Sequence, residues 1–383
     1  MPSRIFILAW KPSPDHSALS LAPDPIEGSG RGPRAAQRYG TLSSVMDPDR
    51  YSRQILYSPI GRAGQDRLSR ARVLILGCGA LGTAQANALV RAGVGRLRII
   101  DRDFVEESNL QRQLLFDEAD AAQSLPKAIA AERHLSSLNR DVEIEGVVAD
   151  VDSSSIERHI HGHDLVLDGT DNFETRYLIN DAAVKNGTPW IYGAVVGSYG
   201  ATLTVLPGRT PCLACVFPER PTGLQETCDT VGIISTAAAW TAAVQVTEAL
   251  KILTGHESDL HGKMLACDLW KNSFQQITPL IDPECRVCHK RQFMFLEGDA
   301  LSRTSVLCGR NAIQLRELVP HTIALGALRE RLELLGPVHA NDFLVRCRIN
   351  SYELTVFGDG RAIIKGTDDP AVARKIYAQY VGS

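Results

Sequence analysis

The 383-residue sequence is poor in aromatic side chains, which make up 6% of it, and holds only four methionines and four tryptophans. It has no large excess of either charge. Lys and Arg number 41 against 44 Asp and Glu, a formal net charge of −3, so no global field draws the chain to nucleic acid or to a membrane surface. No apolar run spans a bilayer: the longest candidate, about Gly232 to Thr254, is interrupted by Thr, Gln, Glu248 and Lys251 and reads as a buried helix. The short apolar run Ile5 to Trp10 meets Lys11 and prolines instead of a small-residue cleavage site, unlike a secretory signal. Nine cysteines are too few for a disulfide scaffold in a chain this long, which favours a reducing, cytoplasmic setting.

What is present is ordinary globular composition, 44% hydrophobic and 22% charged, in a length that predicts two units. Residues 11 to 45 are rich in Pro, Ser, Gly and Arg without periodicity and are expected to be disordered. Met46 opens a different, ordered-looking stretch and is expected to be the translation start, residues 1–45 being an extension.

Arg72 to Leu76 reads as a strand, Gly77-Cys78-Gly79-Ala80-Leu81-Gly82 follows directly, and a helical pattern runs on to about Ala92. Strand, glycine loop and helix in that order are the context in which G-x-G-x-x-G binds a nucleotide phosphate. A second strand, Leu97 to Ile100, ends at Asp101, near the distance at which an acid meets a ribose hydroxyl. In Ser108 to Gln113, Asn109, Arg112 and Gln113 stand at i, i+3 and i+4, so one helical turn would place them on one face. Lys127, just after Ser124 and Pro126, falls in a predicted first helical turn, where the dipole disfavours a cation unless an anion is held there. Asp164 to Asn172 reads as a further strand running into a polar loop, placing Asp168 and Asp171 where Mg²⁺ could bridge a triphosphate. A helix cap at Asp171 is the competing reading.

Cys212-Leu213-Ala214-Cys215 and Cys285-Arg286-Val287-Cys288 are two knuckle-like pairs, and four thiolates make a closed tetrahedral, structural zinc site. Cys228 precedes the long apolar helix, where a thiol can become nucleophilic, although Asp229 beside it opposes thiolate formation. Beyond about residue 300 the pattern becomes a small α+β unit. Strands are expected over Ser305–Leu315, Phe343–Ile349, Tyr352–Phe357 and Ala362–Lys365, with helices at Leu325–Leu335 and Pro370–Tyr380.

Taken in order, Tyr51-Ser52-Arg53-Gln54-Ile55, the glycine loop, Asp101-Arg102-Asp103, Ser108 to Gln113, Lys127, Asp168 to Asn172 and the two cysteine pairs resemble the ThiF/MoeB family. These are relatives of the catalytic half of ubiquitin-activating enzymes, and the resemblance covers about residues 47 to 290. It implies a Rossmann-like, mostly parallel sheet with an antiparallel extension and a structural zinc site in residues 46–295, followed by the small α+β domain of residues 300–383. It implies that the protein binds Mg-ATP and adenylates the C-terminal glycine carboxylate of a ubiquitin-like sulfur carrier, and that it is a homodimer. Carried over residue by residue, Asp101 would hold the ribose, Asn109 and Arg112 the nucleotide and phosphates, Lys127 the phosphates and Asp171 the Mg²⁺. Gly77, Gly79, Gly82, Asp103, Ser108, Gln113 and Asn172 would complete the nucleotide site. Arg53 would reach into the partner subunit's site, and Cys228 could link covalently to the carrier or take part in sulfur transfer. The tail lacks the exposed-loop cysteine, set among basic residues, of a rhodanese-like domain and looks like the short tail of some bacterial ThiF-type proteins, a resemblance that favours a ThiS-like carrier in thiamine thiazole formation over a MoaD-like one in molybdopterin formation. A cysteine desulfurase is a candidate sulfur donor. The two other readings are an NAD-dependent oxidoreductase, which leaves Arg53, Arg112, Lys127, Asp171 and the cysteine pairs unused, and a non-catalytic heterodimer half, which would be expected to lack those charges.

Overall fold

The structure is a computed structural model that describes residues 49–219, 228–298, 304–307, 311–315 and 322–382. Of Cys228, Asp229 and residues 304–307 only the backbone is described. The expectations for residues 1–45 lie outside the described residues.

Fourteen strands form two sheets among the described residues. In the first, β1 (Arg72–Leu76), β2 (Arg96–Asp101), β3 (Glu143–Val148), β4 (Leu165–Asp168) and β5 (Trp190–Val196) are parallel. Strands β6 (Tyr199–Val205), β7 (Met264–Asp268) and β8 (Ser273–Ile277) extend it antiparallel, giving the order β3-β2-β1-β4-β5-β6-β7-β8. The second holds β9 (Thr304–Leu307), β10 (Ala312–Leu315), β11 (Val338–Ala340), β12 (Leu344–Ile349), β13 (Tyr352–Phe357) and β14 (Ala362–Lys365), antiparallel in the order β11-β12-β13-β14-β10-β9. The predicted fold class is what the backbone forms. The expected single strand over Ser305–Leu315 is instead the hairpin β9–β10, and β11 is too short to have stood out in the sequence.

Helices cover both faces of the larger sheet: α1 (Ser52–Leu56), α2 (Gly61–Leu68), α3 (Ala80–Ala92), α4 (Glu118–Ala122), α5 (Lys127–Leu138), α6 (Ile156–Ile160), α7 (Phe173–Asn186), α8 (Leu213–Val216), α9 (Cys228–Val231) and α10 (Ser235–Thr254). The strands at its centre are apolar throughout because both faces are covered: after Arg72 all of β1 is buried, as is all of β4. Two cores result, one on each face, with Leu74, Val166 and Trp190 in one and Val73, Ile75 and Leu167 in the other. Chain termination is local chemistry. Gly93 closes α3 at φ +81°, where a Cβ would also strike the Tyr51 ring at 2.6 Å. The expected helix from Gly232 starts later, at Ser235, because Gly232 sits at φ +83° between it and α9. No helix among the described residues is long and apolar enough to cross a membrane.

Helices α11 (Leu325–Glu333) and α12 (Pro370–Tyr380) cover one face of the six-stranded sheet, packing on Ile313, Val345, Leu354 and Ile364. Asp369 caps α12 by accepting from Ala371 N, and Pro370 takes the first helical position, where a missing N–H costs nothing.

Candidate functional site

The site forms where β1, β2 and β4 end. Gly77 leaves β1 at φ +91°, and a Cβ there would lie 2.6 Å from the Gly169 carbonyl oxygen. A Cβ on Gly82 would lie 1.9 Å from the Gly77 carbonyl, so α3 can approach the strand only through a glycine. Gly79 differs: nothing comes closer to its would-be Cβ than 3.9 Å. Packing requires the first and third glycines, and it leaves open the second, where a phosphate would approach the backbone.

Next to the loop, the Asp101 carboxylate accepts from Cys78 N at 2.6 Å and from Asp103 N at 2.7 Å. Asp103 in turn meets Lys127 Nζ at 3.4 Å, and Lys127 N donates to the Asp103 carbonyl at 2.8 Å. Lys127 is 5% exposed and begins α5, as the sequence places it. Glycine loop, ribose-type acid and phosphate-type lysine are thus one contiguous group. Burial pushes the Asp101 carboxyl above its ordinary value, with Lys127 the main opposing charge and Asp103 adding to the rise.

The Ser108–Gln113 stretch is a short 3-10 turn, Glu107–Asn109, that runs on into a further turn: the Asn109 carbonyl accepts from both Arg112 N and Gln113 N at 3.0 Å, the i+3 and i+4 positions of the expected helical turn. Asn109 is buried and its Oδ1 accepts from Glu106 N in a capping box, which leaves its amide nitrogen to donate. Ser108 is exposed, and its carbonyl accepts from Arg112 Nη1 at 2.8 Å. Gln113 is buried beside Gly79, and its Oε1 has no hydrogen-bond partner, the kind of orphaned polar atom a bound ligand would satisfy.

Asp168 and Asp171 separate sharply. Asp168 is fully buried and faces inward: it pairs with Arg176 Nε at 3.2 Å and accepts from Thr170 N and Oγ1. It anchors the strand end and is not placed to meet a metal in solvent. Asp171 is exposed at the loop, and the cap of α7 is Asn172, whose Oδ1 accepts from Thr175 N at 2.8 Å. That removes the capping role from Asp171 and gives Asn172 a structural one. The sequence reading missed Gln85 and Gln245, which both donate to the Asp168 carbonyl from 83 and 77 positions away and leave no local pattern, and it gave no role to Arg176, whose partner Asp168 is eight residues before it.

Arg53 is exposed on α1 at the other end of α3, where Gln54 Nε2 donates to the Ala92 carbonyl at 2.9 Å. The 13 residues of α3 put it about 20 Å from its own glycine loop, which it does not help to build. Cys228 opens α9 instead of the long helix.

The four cysteines predicted to bind zinc converge, with all four sulfurs within 4.8 Å of one another. Cys212 to Cys285 is 3.6 Å, Cys215 to Cys288 is 3.3 Å and Cys212 to Cys215 is 3.9 Å. Zn–S bonds of about 2.3 Å in a tetrahedron require edges of about 3.8 Å, so the donor set fits zinc and leaves no position for water. Burial, then the neighbouring sulfurs, pushes the Cys212 thiol up to about 12, a state that a divalent cation would reverse.

A glycine-loop nucleotide site on a parallel sheet, with a four-cysteine clasp on its antiparallel extension, defines a nucleotide-using α/β protein with structural zinc. The ThiF family matches residues 51–287, and the chain belongs to that family. It is 48% identical over 336 residues to the sulfur carrier protein ThiS adenylyltransferase of Bacillus subtilis, a match covering 87% of this chain and 99% of that protein. It is 38% identical to the sulfur carrier protein adenylyltransferase of Thermus thermophilus, over 63% of this chain and 90% of that one. The crystal structure of E. coli MccB with ATP shares the fold, with a TM-score of 0.55 at 23% identity over 62% of this chain and 74% of that one.

Proposed function

We propose that the protein is an ATP-dependent adenylyltransferase acting on the C-terminal carboxylate of a ubiquitin-like sulfur carrier, and that its carrier is ThiS-like. The observation that carries this reading is the contiguous group of open Gly79, Asp101, Asp103 and Lys127, a backbone approach, a ribose-type acid and a buried cation for a nucleotide, in a chain whose likeness to a ThiS adenylyltransferase extends through most of its length. The match to the enzyme named for ThiS runs through 87% of the chain, whereas the match to the Thermus enzyme, named for no particular carrier, covers 63%, which supports a ThiS-like carrier.

The carrier carboxylate is already ionised at neutral pH, so the site supplies no base. A carboxylate oxygen bonds to the α-phosphorus, the α–β phosphoanhydride breaks, and pyrophosphate leaves with the electron pair. The barrier lies in bringing anions together, and the residues act by holding charge in place. Asp101 takes the ribose hydroxyls, Gly79 lets the chain approach the phosphates, and Lys127, Arg112, Asn109 and Gln113 neutralise and orient them. Asp171 would hold a Mg²⁺ ion, which would supply charge neutralisation for the phosphates when bound. Arg53, remote from its own loop, serves the partner subunit of a homodimer. Cys228 is the candidate for covalent attachment or sulfur transfer, with a cysteine desulfurase as the donor class. A reducing compartment such as the cytoplasm keeps these thiols free. Residues 46–295 act as the adenylating unit and 300–383 as its appendage.

The test is ATP–pyrophosphate exchange in the presence of a small carrier ending in Gly-Gly. Exchange with a ThiS-like carrier is expected. Exchange only with a MoaD-like carrier would move the pathway, and none with either would end the reading.

A further inference from the structure

The six-stranded sheet has a second face. Opposite α11 and α12, the residues Ala312, Leu344, Phe357 and Ile363 close around Phe104 of the other sheet's loop. The Phe104 and Phe357 rings are 6.4 Å apart, and the Arg346 guanidinium lies 4.2 Å over Phe104. Phe104 bridges to Pro126, the residue before Lys127. This face therefore rests on the segment that carries Asp101, Asp103 and Lys127.

Two polar residues on that face go further than packing. Arg361 is 3% exposed, and its Nη2 donates to the Arg102 carbonyl at 3.2 Å. Gln314 is also 3% exposed, and its Nε2 donates to Asp150 Oδ2 at 3.0 Å, while Asp150 Oδ1 accepts from Arg102 Nη1 at 3.1 Å. Backbone and side chain of Arg102 are thus both held from the second sheet. Arg102 Nε then lies 3.9 Å from Asp103 Oδ1, whose other oxygen faces Lys127. Burial opposes the charge on Arg102, and Asp150, Asp103 and Asp171 together outweigh it.

An interface that needed only cohesion would be served by the Phe104 cluster, since burying an amide and a guanidinium costs desolvation that their hydrogen bonds do little more than offset. What such groups supply is geometry. We propose that Gln314 and Arg361 are positioning residues for nucleotide binding: they fix Arg102, and through it the arrangement of Asp103, Asp171 and Lys127 around the phosphates. This rests on the adenylation reading for the identity of the nucleotide.

The experiment uses the full chain and measures KM for ATP and kcat in exchange, ATP affinity by calorimetry, and Tm. Gln314→Glu is isosteric and turns a carboxylate toward Asp150; Arg361→Lys keeps the charge and loses the fork. Each should raise KM and the ATP dissociation constant roughly tenfold, about the loss of one hydrogen bond to a charged group, with kcat changed by less than about twofold. Gln314→Glu combined with Asp150→Asn restores the donor–acceptor pair in reverse and should recover most of the affinity. Arg331→Ala, which removes a 2.9 Å bond to the Val381 carbonyl within the second sheet's own layer, should lower Tm and leave ATP affinity alone. If Gln314→Glu does not fold, Gln314→Met takes its place. Unchanged ATP affinity in folded Gln314 and Arg361 variants overturns the proposal, as does a loss in Arg331→Ala that scales with Tm in the same way. If the wild-type protein binds ATP but exchanges with no carrier, the parent reading fails, and calorimetry still decides this one.

Discussion

The two ends of the eight-stranded sheet treat polar groups in opposite ways. At the parallel end, Gly79 has nothing within 3.9 Å of its would-be Cβ, Gln113 Oε1 has no partner, and Asp171 is exposed. At the antiparallel end, four cysteines on the segments after β6 and β8 bring their sulfurs within 4.8 Å of one another. Open groups gathered around one loop mark the end that handles a ligand, and sulfurs gathered on one another mark the end that holds the fold. Removing metal tests the closed end with the largest expected effect. Structural zinc contributes on the order of 10 kcal/mol in isolated fingers; here the two cores remain, so chelation should lower Tm sharply without complete unfolding. One bound zinc lost with a large Tm drop is expected, and a chelated protein with unchanged Tm would break the comparison.

Within the glycine loop the same contrast falls between two residues. Gly82→Ala would drive a Cβ to 1.9 Å from the Gly77 backbone and should cost more than about 4 kcal/mol of stability. Gly79→Ala has room in the folded protein, so it should melt near wild type and lose ATP binding. Thermal melts beside nucleotide titrations check both. An equal stability loss in the two would mean that Gly79 is a packing glycine.

Lys127→Ala removes the buried cation beside Asp101 and Asp103. It should reduce pyrophosphate exchange by about 10²–10³, the usual cost of losing one preorganised charge-stabilising group. The buried pair of Asp103 with Lys127 predicts some stability change as well, so the activity loss must exceed what the melt explains. Asp171→Asn, at an exposed position, should lose exchange with no change in Tm.

The two ends also differ in how far they could be read in advance. The cysteine pairs and glycine loop carry their chemistry in local spacing, and β1, β13, β14 and α12 begin and end where periodicity places them. What stayed hidden is carried by contacts with no local signature. Gln85 meets Gln245 across 160 positions and Arg361 meets Arg102 across 259. Likewise Arg102 looked like part of a motif, and only the fold shows four carboxylates converging on it. The Ser108–Gln113 stretch was legible in part: its spacing fits the turn that forms, but nothing local shows that the Glu106–Asn109 capping box opens that turn and that Asn109 is buried.

The closed end has exceptions among the described residues, Asn180 Nδ2 and Arg286 Nη1 included, and Asp181 yields the smallest prediction. Asp181 on α7 accepts from Phe295 N at 3.0 Å through Oδ2, while its buried Oδ1 has no partner. Burial raises its carboxyl to about 6, against a weaker pull from that N–H and from Arg286. A raised folded value means that the contribution to stability is full below the unfolded value of 3.8 and is lost as pH rises through about 6. The shift sets an upper limit of about 3 kcal/mol, at 1.36 kcal/mol for each pKa unit. Asp181→Asn keeps the acceptor for Phe295 N and removes the titration, so its stability should fall less between pH 4 and 8 than that of the wild type. Asp101 and Asp168 shift in the same direction but are present in both proteins, so denaturant melts of the pair across that range isolate Asp181. Parallel curves would mean that its unpartnered oxygen is solvated, and that Asp181 is no exception at the antiparallel end.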